Sequence, residues 1–85
     1  MLGGAKLLEA GDVEGPTAQS KYLVRLTAVP RIGDILCDPS GRRVAVVRDI
    51  IGNVKRPIAV VEPVSKGVML KKSSRVFILK ERRRG

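Results

Sequence analysis

Val44-Ala45-Val46-Val47-Arg48-Asp49-Ile50-Ile51-Gly52-Asn53-Val54-Lys55-Arg56-Pro57-Ile58-Ala59-Val60-Val61 holds two runs of β-branched and small apolar residues around a turn marked by glycine and proline. Each run is too short for a helix, so the stretch predicts a β-hairpin. Neither run alternates apolar with polar. Successive side chains of a strand point to opposite faces, so Val44 to Val47 and Ile58 to Val61 are apolar on both. A small barrel has one interior. The surplus needs another cover, from the ends of the chain or from a second protein.

Outward from the hairpin, Tyr22-Leu23-Val24-Arg25-Leu26 and Asp34-Ile35-Leu36-Cys37-Asp38 read as strands closed by Pro30, Gly33 and the turn Asp38-Pro39-Ser40-Gly41. In that turn proline presets φ and glycine accepts φ > 0, which reverses the chain into Arg43-Val44. Further strands are predicted at Val68-Met69-Leu70 and Arg75-Val76-Phe77-Ile78-Leu79. No window carries a helical period. Short strands in quick succession predict an all-β chain, a small closed barrel without exposed sheet edges. The first twenty residues mix glycine, acids and Pro16 without periodicity. The predicted organisation is therefore a flexible N-terminal arm over 1–20, a β-barrel over 21–79 and a basic tail over 80–85.

Eighty-five residues and 9.2 kDa leave room for one domain with a modest core. No apolar run approaches the roughly 18 residues of a membrane span, and Leu7-Leu8 is too short for a signal peptide. The expectation is a cytoplasmic protein without membrane association. Cys37 is the only cysteine and histidine is absent, so neither an internal disulfide nor a zinc site is expected, and no cofactor is. Catalysis is not expected either. Cys37 lacks a base, and Asp34, Asp38, Asp49 and Glu62 neighbour turns or arginines, where capping and surface pairing account for them. The glycines are scattered and do not form a phosphate loop.

The formal net charge of +9 makes contact with nucleic acid a serious prospect. Residues 1–20 carry Lys6 against Glu9, Asp12 and Glu14, whereas 66–85 carry eight cations against Glu81. Modules that read single-stranded RNA also stack bases on aromatic rings. Only Tyr22 and Phe77 are aromatic, and both read as core. Lys80, Arg82, Arg83 and Arg84 are thus the candidate RNA contacts, sequence-blind and sensitive to salt.

From Arg43 to Glu62 the sequence resembles the glycine-arginine-rich (Gar) subunit of H/ACA ribonucleoproteins, with Asp49, Gly52, Val54 and Pro57 in register with that family's central motif. Val29-Pro30-Arg31-Ile32-Gly33-Asp34-Ile35-Leu36-Cys37-Asp38 resembles its lead-in, so the likeness covers about half the chain. Ala45 replaces the usual glycine, Ile51 the phenylalanine, Asn53 the proline and Ile58 the tyrosine. Long glycine-arginine tails are absent, which fits the compact archaeal version.

The resemblance implies a six-stranded barrel of the translation-factor/reductase kind. It also implies a non-catalytic subunit, monomeric within its complex, that docks on a pseudouridine synthase and promotes substrate loading and product release in rRNA modification. Guide RNA and substrate rRNA would be met mostly indirectly. Ile50, Ile51, Gly52, Val54, Pro57 and Ile58 are the expected docking residues, with Arg48 and Arg56 at a polar rim. The competing reading is a ribosomal or other RNA-associated small barrel that grips RNA backbone directly through its basic surface.

Overall fold

A computed structural model describes residues 5–81. They form six strands and no helix: β1 (Ala5–Pro16), β2 (Tyr22–Leu26), β3 (Ile35–Cys37), β4 (Arg43–Ile51), β5 (Ile58–Pro63) and β6 (Arg75–Glu81). Every pairing is antiparallel, and the order β1-β2-β5-β4-β3-β6 closes on itself as a barrel. The small closed six-stranded β-barrel expected from the sequence is the fold.

Three assignments differ from the sequence reading. The predicted N-terminal arm contains β1, a 12-residue strand that pairs with both β2 and β6 and closes the barrel. Its alternation is hidden because the register slips twice, between Glu9 and Gly11 against β6 and between Val13 and Gly15 against β2. Each slip resets which residues face inward, so the two-residue period never runs long enough to read. Conversely, Val68-Met69-Leu70 is not a strand. Val68 and Leu70 instead lie in a loop and pack, partly buried, against the core. Lys80 and Glu81 end β6 rather than starting a tail. Arg82, Arg83 and Arg84 lie outside the described residues.

The interior is aliphatic. Val13, Val24, Leu36, Val47, Val61, Val76 and Ile78 are fully buried, together with Ala10, Ala45 and Ala59. The unbroken valine runs divide as their periodicity demands: Val47, Ala59 and Val61 face in, while Val46, Ile58 and Val60 are half-buried on the outside. Val44 is covered by the 64–70 loop, anchored where Val64 N donates to Val44 O at 3.0 Å. Cys37 is also fully buried, and burial pushes its thiol up from the ordinary range.

The β3–β4 turn is held by one carboxylate. Asp38 Oδ1 accepts from Ser40 Oγ at 2.6 Å and from the backbone N–H groups of Ser40 and Arg42, each at 3.0 Å. These bonds, that from the Ser40 hydroxyl first, hold the Asp38 carboxyl below its ordinary value of 3.8. A depressed native value means the stabilisation is complete above that ordinary value and disappears as pH falls through the native one. Asp38→Ala therefore lowers stability at neutral pH, and its deficit against wild type narrows on acidification below 3.8. Urea melts across a pH series measure this; a deficit independent of pH contradicts it.

Candidate functional site

The hairpin that joins β4 to β5 is built by local chemistry. Asn53 Oδ1 accepts from the N–H groups of Lys55 and Arg56, both at 2.9 Å, and Arg56 N also donates to Asn53 O at 3.1 Å. Asparagine thus fixes by hydrogen bonding a turn in which the resembled family places proline. Gly52 has φ +90°, and a Cβ there would sit 2.6 Å from Arg56 O. Both facts demand glycine. The tip is tied to the wall where Leu26 N donates to Pro57 O at 3.1 Å.

At the base of the hairpin, β4 slips register between Val47 and Asp49, which leaves both Arg48 and Asp49 exposed. Beyond the slip, Ile50, one of the expected docking residues, packs against the core, and only Ile51 of the pair turns outward. Ile51 is 43% exposed and Val54, at the tip, 95%. Pro57 and Ile58 are half-buried. Leu7 and Leu8 do not cover these residues, since they pair with Leu79 and Ile78 on the other side of the barrel.

The loop 27–34 adds two side chains that the sequence reading quoted only as lead-in. Val29 is 63% exposed and Ile32 64%. The loop leaves β2 beside Pro57 and returns at Gly33, whose N–H donates to Val47 O at 2.8 Å, so it crosses the same end of the barrel as the hairpin. Isolated apolar residues in a loop leave no periodic signal, which is why Val29 and Ile32 went unassigned. Ile51, Val54, Val29 and Ile32 are thus four exposed aliphatic side chains at one end.

The two rim arginines differ. Arg48 Nε lies 2.6 Å from Glu62 Oε1 across the β4–β5 ladder. Arg56 has no ion-pair partner among the described residues, and with Lys55 it leaves the tip positive. Lys80 reaches the return side of the 27–34 loop. It lines a polar groove on the outer face of β3 together with Arg31, Asp34 and Arg43.

Among the described residues, no cluster of histidine, cysteine and acids could hold a metal ion, and no helix is long and apolar enough to cross a membrane. Compared with protein-family models the chain matches none, and comparison with curated proteins returns no match.

Proposed function

We propose that this chain is a non-catalytic subunit of an H/ACA guide-RNA pseudouridylation complex. Its β4–β5 hairpin docks on the pseudouridine synthase, and docking promotes substrate loading and product turnover in rRNA modification. The observation that carries the reading is the aliphatic end of the barrel, where Ile51 and Val54 are held in water on a turn fixed by Gly52 and Asn53. An apolar group kept exposed on a rigid turn gives up little conformational entropy on binding. Buried centrally, Val54 contributes about 1.5–3 kcal/mol, and Ile51, already more than half covered, less. Lys55 and Arg56 supply the polar rim. The resemblance at Asp49, Gly52, Val54 and Pro57 selects the synthase from among protein partners.

The test is capture of the tagged chain from its own cell extract, washed at 1 M salt, where the Debye length falls to about 3 Å and exposed charges are screened. A pseudouridine synthase retained through the wash is the expected result. Recovery of RNA alone, lost as salt rises, overturns docking in favour of direct backbone binding.

A further inference from the structure

Ser20, Lys21, Tyr22, Glu62, Ser65 and Lys66 line one shallow groove. It lies at the end of the barrel away from the hairpin: Tyr22 opens β2 opposite Val61, near the C-terminus of β5, whereas the hairpin enters β5 at Ile58. One wall is a preset turn. Thr17 Oγ1 accepts from the N–H groups of Gln19 and Lys21 at 3.1 and 3.2 Å, and Thr17 N donates to Lys21 O at 2.8 Å. Ser20 within it takes the left-handed φ of 65°, so Lys21 leaves the turn from a fixed backbone. The other wall is the start of the 64–74 loop, with Ser65 and Lys66.

The charges of the groove do not cancel. Glu62, its acid, is held by Arg48 at 2.6 Å. Lys21 and Lys66 have no ion-pair partner among the described residues. Tyr22 lines the same groove and packs in part against the core.

We infer that this groove binds one nucleotide unit of a single-stranded nucleic acid, with the base stacked on Tyr22 and the flanking phosphates held by Lys21 and Lys66. A ring face accepts any base, and two ammonium groups in the same groove match the phosphates that bracket it. The hydroxyls of Ser20 and Ser65 offer hydrogen bonds to the sugar or base edge. Since the groove lies at the far end of β5 from the hairpin, the inference stands independently of the docking reading.

The molecule carries its own reporter, because Tyr22 is the only tyrosine and there is no tryptophan. Titration of the full chain with a short oligouridylate, followed by tyrosine emission and by anisotropy of the labelled RNA, is the test. Saturable quenching of Tyr22 that tracks the anisotropy is expected. The double variant Lys21→Ala, Lys66→Ala, whose substitutions lie on a turn and an exposed loop, binds at least about fivefold more weakly and flattens the log–log salt slope by roughly 1.4, at about 0.7 per phosphate contact. Tyr22→Leu, which keeps an apolar group against the core, weakens binding roughly tenfold. Anisotropy without quenching, quenching that the double variant retains in full, or equal quenching by tripolyphosphate each overturns the inference. The last result reduces the groove to an anion site without base recognition.

Discussion

Replacing Ile51 and Val54 together by aspartate releases the pseudouridine synthase from the proposed complex while the barrel stays folded. Val54 is almost wholly exposed and Ile51 is close to half exposed, so neither is a member of the core. Substitutions at such positions cost the isolated fold little, within roughly 0.5 kcal/mol at Val54 and somewhat more at Ile51. At the centre of an interface the same changes place carboxylates where the partner presents apolar surface, and lost hot spots cost about 2 kcal/mol or more each. Affinity is therefore expected to fall by at least about thirtyfold for one substitution and further for both. Calorimetric titration of purified synthase, with thermal melts of the variant as control, measures both halves of the claim. Undiminished affinity in a folded variant removes the hairpin from the interface.

The second large effect is on folding. Gly11→Ala would put a Cβ 1.9 Å from Arg25 O, with Arg25 C at 2.9 Å and Leu26 Cα at 3.0 Å, all backbone of β2. No rotamer change relieves a clash with a neighbouring strand, so β1 and β2 must separate where the barrel closes. A cost of at least about 3 kcal/mol follows, against a total of about 5–15 for a domain of ordinary stability. In a chain of this size that lowers the melting temperature by roughly 12–24 °C. Gly15→Ala is the matched control. Gly15 has φ +152° against +155° at Gly11, yet nothing lies within 4 Å of its added Cβ. Equal melting temperatures for the two variants would show that backbone conformation, rather than the approach of β2, is what Gly11 supplies.

These two predictions depend on different kinds of information. Gly52, Pro57 and the flanking valine runs mark the hairpin in the sequence itself, because turn chemistry and β-branched runs are local properties. That Ile50 and Ile51 face opposite ways was legible for the same reason, whereas the structure decides that Ile50 is the inward one. The clash at Gly11 was not, since it involves Arg25 on a strand whose pairing with β1 no local signal specified. The groove around Tyr22 has the same origin: Lys21 and Lys66 are 45 positions apart in sequence and meet only because β2 pairs with β5.

The amino-acid order alone determined an all-β barrel, the place of its central hairpin and the aliphatic surplus carried there, since strand propensity, turn residues and two-residue periodicity act over a few neighbours. Tertiary structure decided that residues 5–16 close the barrel, that 68–70 pack as a loop and that Tyr22 shares a groove with Lys21 and Lys66. The bulges in β1 erase the period that would have announced a strand, so its place is set by pairing at long range with β6, as in Ala5 with Glu81. Pairings of that span are won by closing the sheet and burying one shared interior, a gain that belongs to the whole barrel and to no segment of it.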